Sequence, residues 1–145
     1  MIFLVEAEIR ISGKEVCMER QEPLKNAGST SGKEAAEYYI KDKCLIIKVK
    51  QDLDHHNTLS IREQSDKLLD KGQIKSIVFD FSGTDFMDSS GIGVIMGRYK
   101  RLTLSGGKIF VTGINRNLDR IFRMSGLYRI VPKFDSIEEA VARSR

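Results

Sequence analysis

One stretch of this chain has the make-up of a buried strand and then, after a short link, the period of a helix. That succession constrains the fold more than any other feature. Ser76-Ile77-Val78-Phe79-Asp80-Phe81 is short, β-branched and aromatic, as a buried strand requires. Beyond it Ile92, Ile95, Met96, Tyr99 and Leu102 recur at helical spacing, so one face of that segment belongs in a core. Between them lies Phe86-Met87-Asp88-Ser89-Ser90-Gly91-Ile92-Gly93-Val94, which puts two adjacent serines at a helix start. Unpaired backbone N–H groups and the positive end of the helix dipole favour an anion there, a phosphate included. One serine is accounted for as an N-cap, a role for which Ser is preferred. The second is not, and neither are Gly91, Gly93 and Gly97, each of which costs a helix roughly 1 kcal/mol relative to alanine. Close backbone approach, to the sheet beneath or to a partner above, accounts for glycines at such positions. Local chemistry leaves cap and phosphate switch both open.

The rest of the chain repeats the alternation. Ala36–Ile40 and Cys44–Val49 flank a polar Lys41-Asp42-Lys43, which predicts a hairpin. A helix is expected from near Thr58 through Leu68 and Leu69 to Gly72, then the strand at Ile77 and the helix beginning near Ser89 or Ser90. A strand at Lys108–Thr112 and a helix from about Asn117 to Met124, closed by Gly126, come next. Tyr128-Arg129-Ile130-Val131 reads as a last short strand, and Ser136 with Glu139 forms a capping box for a final helix. Strands joined by short helical links imply parallel crossovers, hence an α/β fold with a mixed, mostly parallel sheet and alternating helices. The loop after Cys44–Val49, with Asp54, and the loop after Ile77–Phe81, with Ser89, then share the carboxyl edge. Open α/β sheets bind their ligands at that edge.

Composition narrows the function classes. A content of 41% hydrophobic and 30% charged residues is that of an ordinary globular domain. No apolar run approaches the roughly 20 residues of a membrane-spanning helix. Met1–Val5 is too short and lacks the basic flank of a signal peptide, so a cytoplasmic location is expected. Cys17 and Cys44 fit neither a metal spacing nor a disulfide framework and read as reduced thiols. Asp54-His55-His56 offers ligand atoms that zinc accepts, but adjacent side chains diverge and the chain has 2 histidines in all, so neither metal nor cofactor is expected. The net charge of +4 has one visible concentration, Arg116, Arg120 and Arg123, on a helix face opposite Leu118, Ile121 and Phe122. It reads as a solvated face or as steering for an acidic protein. With no interleaved aromatics, nucleic acid is not expected. A serine hydrolase is the rival reading. The serine turn lacks the Gly-x-Ser-x-Gly elbow and both histidines precede it, though a triad in another order stays open on sequence alone.

The run from Phe86 to Lys100, Leu53-Asp54-His55-His56 after a strand, Gly106-Gly107-Lys108 before one, and Arg120-Ile121-Phe122-Arg123-Met124-Ser125-Gly126-Leu127 follow one another in order. Together, from about Glu37 to the C-terminus, they resemble the STAS family of anti-sigma-factor antagonists. The double histidine and Gly97-Arg98-Tyr99-Lys100 bring the chain nearest to the family's sporulation members. The resemblance implies a cytoplasmic interaction switch in transcription regulation rather than an enzyme. Its unphosphorylated form captures an anti-sigma factor with serine kinase activity, which frees a sigma factor. Phosphorylation on the first serine of the pair, here Ser89, ends the capture, and a serine phosphatase removes the phosphate. Asp54, Asp88, Ser89, Ser90 and Gly91 are the expected partner-binding residues, with neither nucleic acid nor membrane involved. Other members are scaffold components of stress-signalling complexes, which is the alternative within the family. Gln51 stands where the family usually has glycine. An N-terminal extension, residues 1–36, precedes the domain at 37–145. Ile2 to Ile11 alternates like an added strand and Gly28–Lys33 reads as a linker. The extension is therefore a disordered tail, a strand covering a sheet edge, or a start assigned too early with Met18 as the true one.

Overall fold

A computed structural model describes residues 34–145; the readings made for Ile2–Ile11, Cys17, Met18 and the 28–33 linker lie outside them. The hairpin is the tightest local element. β1 (Ala36–Lys41) and β2 (Cys44–Val49) pair antiparallel with Lys41 opposite Cys44, so Asp42 and Lys43 alone turn the chain. Both have positive φ, 53° and 65°, which lets a two-residue turn follow the right-handed twist of its strands. Aspartate tolerates that conformation. Lys43 is strained in it, because its Cβ crowds the backbone.

From β2 onward the chain alternates strand and helix: α1 (His55–Asp70), β3 (Ser76–Asp80), α2 (Ser89–Thr103), β4 (Lys108–Thr112), α3 (Arg116–Ser125), β5 (Lys133–Phe134) and α4 (Ile137–Ser144). The sheet order is β1-β2-β3-β4-β5, parallel from β2 on. Each crossover steps one strand in the same direction, and right-handed crossovers then place α1, α2 and α3 on one face. The core follows the two-residue strand period. Leu45, Ile47, Ile77, Phe79, Ile109 and Val111 pack with Ile61, Leu69, Ile95, Leu102, Leu118 and Phe122 of those helices. The alternate residues Cys44, Ile46, Val78 and Phe110 face Ala140 and Val141 of α4. Both faces are covered, which is why the inner strands read as nearly continuous apolar runs. Cys44 is a buried free thiol, and its burial pushes its pKa up to about 11.

Two expectations are corrected. α1 begins at His55 rather than near Thr58, because the Asp54 carboxylate takes the N–H groups of His56 and Asn57 and starts the helix a turn early. The strand expected at Tyr128–Val131 is a 3₁₀ turn over Leu127–Arg129. Gly126, at φ 81°, ends α3, and the N–H groups of Arg129, Ile130 and Val131 bond back to Gly126 and Leu127. Those donors are then lost to a ladder. Leu127 and Val131, both buried, are one helical turn apart with the exposed Arg129 between them, which a two-residue strand alternation would bury, and pairing with β4 begins with the Pro132 carbonyl.

Lys43→Gly should raise stability by about 0.5–1 kcal/mol, since glycine meets the positive φ without a Cβ and Asp-Gly suits this turn. A urea midpoint that moves up with an unchanged slope is the expected readout.

Candidate functional site

Two loops at the carboxyl edge are zipped together. Leu53 and Met87, both fully buried, form an isolated parallel bridge. The Leu53 N–H donates to the Phe86 carbonyl at 3.1 Å, and the Asp88 N–H to the Leu53 carbonyl at 3.0 Å. Side chains extend the contact. Asp52 Oδ1 accepts from the N–H groups of Asp85 (2.8 Å) and Phe86 (3.2 Å), and Thr84 Oγ1 donates to the Gln51 carbonyl at 3.0 Å. Asn115 Nδ2, from the loop before α3, donates to the Thr84 carbonyl at 3.1 Å and to Asp85 Oδ1 at 3.3 Å. A Cβ on Gly91 would lie 2.9 Å from Met87 Cβ and 3.0 Å from Leu53 Cβ, so α2 approaches the bridge closely enough to require glycine there.

One residue past the bridge on each strand is a helix cap. Asp54 Oδ1 accepts from His56 (3.0 Å) and Asn57 (2.8 Å), and Asp88 Oδ1 accepts from the Ser90 N–H at 2.8 Å. Neither serine caps α2, which corrects the reading of one of them as an N-cap. Ser89 is exposed as the first helical residue, and Ser90 is half-buried. Asp54, Asp88, Ser89, Ser90 and Gly91 thus lie along one edge. The Asn57 N–H, and after it the His56 N–H, hold the Asp54 carboxyl below the usual carboxylate range.

Beside the serines a cleft of about 300 Å³ runs between α1 and α2, lined by His55, Thr58, Leu59 and Arg62 on one wall and Ser90, Gly93 and Val94 on the other. Leu59 and Phe86 are 50% and 52% exposed, two large apolar side chains left open at this edge. A Cβ on Gly93 or Gly97 would meet nothing within 4 Å, so packing against the sheet does not explain those glycines as it does Gly91. Below the cleft the two helices are tied by charge. Arg98, buried, donates from Nη1 to the Arg62 carbonyl (3.3 Å) and to Ser65 Oγ (3.1 Å), and its Nη2 lies 3.1 Å from Asp66. Arg101 reaches Asp66 and Asp70. Burial lowers the pKa of Arg98, and the Asp66 carboxylate opposes that.

Asp52 and Arg98 were not among the residues singled out from sequence. Arg98 had a signal: it falls between Ile95 and Leu102 on the apolar stripe, where a charge needs a buried partner. Asp52 had none, because its partners are 33 and 34 residues away. His55 and His56 occupy the exposed first turn of α1, and among the described residues neither is hydrogen-bonded to Ser89 or Ser90. Among the described residues no three His, Cys, Asp or Glu side chains group to hold a metal ion, and no helix is long and apolar enough to cross a membrane.

The five-stranded sheet with its bridged loops and aspartate-capped serine helix is the frame of a STAS domain. The STAS family matches residues 35–140, and the chain belongs to it. A relative from Paenibacillus polymyxa, an anti-sigma F factor antagonist, is 40% identical over 92 residues, 63% of this chain and 79% of the relative. A putative anti-sigma factor antagonist from Thermotoga maritima superposes with a TM-score of 0.71 at 29% identity, over 76% of this chain and 94% of that one. The Bacillus cell fate determinant SpoIIAA in its phosphorylated form superposes with a TM-score of 0.64 at 28% identity, over 77% of this chain and all of that one.

Asp54→Ala should lower the thermal midpoint, because two α1 N–H groups lose their acceptor, and Asp54→Ser should restore most of it. The carboxyl titrates lower in the folded chain than in the unfolded one, so its contribution is complete above the unfolded carboxylate range and fades as pH falls through the folded value. The midpoint gap between wild type and Asp54→Ala should therefore narrow on acidification. A gap that widens would contradict the cap.

Proposed function

We propose that the chain is an anti-sigma-factor antagonist whose carboxyl edge, with Ser89 unphosphorylated, captures an anti-sigma factor that has serine kinase activity and so frees a sigma factor. Phosphorylation of Ser89 ends the capture, and a serine phosphatase restores it. One observation carries this reading. Asp88 caps α2, which leaves the exposed Ser89 hydroxyl without structural duty at the head of a helix beside open apolar side chains. The relatives' names and the phosphorylated form of SpoIIAA support it.

The physics of the switch follows from that placement. A phosphomonoester adds a charge of about −1.5 to −2 at neutral pH. The α2 N-terminus attracts it, while Asp54, Asp85 and Asp88 along the same edge repel it. The cap is already filled, so the phosphate replaces no intramolecular bond and the fold survives. A partner that buries Phe86 and Leu59 must also desolvate the dianion, at several kcal/mol before any compensation. Capture fails while the domain stays intact. Ser90 suits phosphate less well, being half-buried against the cleft.

Incubating the full chain with the anti-sigma kinase and ATP, then mapping phosphate by mass, should place it on Ser89. Ser89→Ala should take up none and still capture, whereas Ser89→Asp should bind weakly at an unchanged thermal midpoint. Phosphate on Ser90 alone, or full capture by Ser89→Asp, would overturn the assignment.

Gly93→Ala separates folding from recognition. Its Cβ enters open space, so helix propensity should add up to about 1 kcal/mol of stability. The same methyl narrows the cleft, and affinity for the partner should fall. Unchanged affinity in a titration would remove the cleft from the recognition surface.

A further inference from the structure

The cations of this chain are unevenly placed. Residues 116–133 hold five, Arg116, Arg120, Arg123, Arg129 and Lys133, against the one acid Asp119, an excess equal to the whole chain's net charge of +4. Asp119 is consumed locally. It accepts from Arg123 Nε and from the Tyr128 hydroxyl, both at 2.7 Å, with Lys133 Nζ at 3.7 Å. Among the described residues Arg116, Arg120 and Arg129 have neither an ion pair nor a side-chain hydrogen bond, and all three are exposed.

Arg129 borders a concavity; Arg120 lies a turn before Arg123 on α3, and Arg116 is at that helix's other end. Where α3 ends and the 3₁₀ turn begins, a cleft of about 540 Å³ opens between Arg123 and Arg129, with Phe122 and Tyr128 in its lining. Met124, at its rim, is 80% exposed. The feature lies at the end of α3 away from the carboxyl edge. No part of the Ser89 site contributes to it.

We infer that this is a second docking surface, one that takes an acidic protein segment with an apolar side chain seated in the cleft against Met124. Unpaired guanidiniums present planar donor forks that match carboxylates, and a desolvated contact with them favours acidic partners over neutral ones. The large apolar side chain exposed at this cleft is Met124 alone, enough to meet one partner side chain and too little to insert into a bilayer. Base stacking is also disfavoured, because the Tyr128 ring is already approached by Arg123 and by Lys133, each 5.8 Å from its centroid. The surface acts independently of Ser89.

The test is a titration of the isotope-labelled full chain with a short peptide of glutamates flanking a central leucine-phenylalanine pair, followed by NMR. Saturable shifts should centre on Met124, Gly126, Tyr128 and Arg129, leave Ser89–Gly93 unmoved, and weaken with added salt. The double variant R120E/R129E should weaken binding about tenfold or more, and Met124→Ser should weaken it as well, both at an unchanged thermal midpoint. Ser89→Asp should leave it unaltered, so failure of this surface and failure of the Ser89 switch are read separately. No saturable shift, shifts centred on the carboxyl edge, or equal binding of a peptide without the apolar pair would overturn the proposal. Tighter binding of an oligonucleotide or an anionic vesicle, or self-association of the chain through this face, would overturn it too.

Discussion

The Leu53–Met87 bridge is the constraint on which the arrangement of the site depends. Parallel pairing of β2 with β3 would otherwise end at Lys48 and Asp80, and the two loops would be free to part. One bridge, with Asp52 clasping two N–H groups of the opposite loop, extends the pairing past that end and aligns the starts of α1 and α2. A one-residue slip of either loop would set Asp54 in the buried place of Leu53 or Asp88 in that of Met87, so burial fixes the register along with hydrogen bonding. The cap residues, the serine pair and the cleft all inherit their positions from that choice.

Because both helices are capped by aspartates, the edge is held without the serine. Folding demands fall on Asp54, Asp88 and Gly91, each tied to a backbone N–H or a close backbone approach. Ser89 and Gly93 carry no such demand. On the proposed reading, a phosphate on Ser89 would change the charge of the edge without loosening the fold, because Ser89 is not among the groups that hold the loops together. The buried Arg98 does comparable work lower down. Its desolvation is offset by Asp66 and by acceptors from α1, which ties the two cleft walls to each other.

The fold and the serine edge were largely legible in the sequence, and the reasons differ by element. β2, β3 and β4 announce themselves because both of their faces are buried and their apolar runs are nearly unbroken. α2 does so because Ile95 and Leu102 keep the helical period on a stretch preceded by capping residues. The segment 127–131 misled because Leu127, Ile130 and Val131 have strand-like composition, whereas the exposed Arg129 between the two buried residues breaks a strand's alternation and Gly126 diverts the backbone into a turn. Which residue caps α2 was equally hidden, since Asp88 and Ser89 are adjacent and both cap well. A shift of one position decides whether the serine is structural or free. Asp52 and the Arg98 pairing were out of reach because they join residues more than thirty positions apart, and local pattern carries no record of such contacts.

Charge divides the domain along α3. At its head, Asn115 ties the loops of an acidic edge that carries Asp52, Asp54, Asp85 and Asp88; at its tail lies the hollow flanked by Arg123 and Arg129. A helix of 10 residues spans roughly 15 Å at 1.5 Å per residue, and exposed charges are screened over about 8 Å at physiological ionic strength. The proposed phosphate on Ser89 would therefore be felt strongly by Asp54 and Asp88 and scarcely at all by Arg129. Any coupling between the two ends would have to be mechanical, through Asn115 and the packing of Leu118 and Phe122 against the sheet. Leu118 and Phe122 are buried in the close-packed core beneath α3. On the two proposed readings, the anti-sigma factor and an acidic segment would meet the domain at once, each at a different end of the same helix layer.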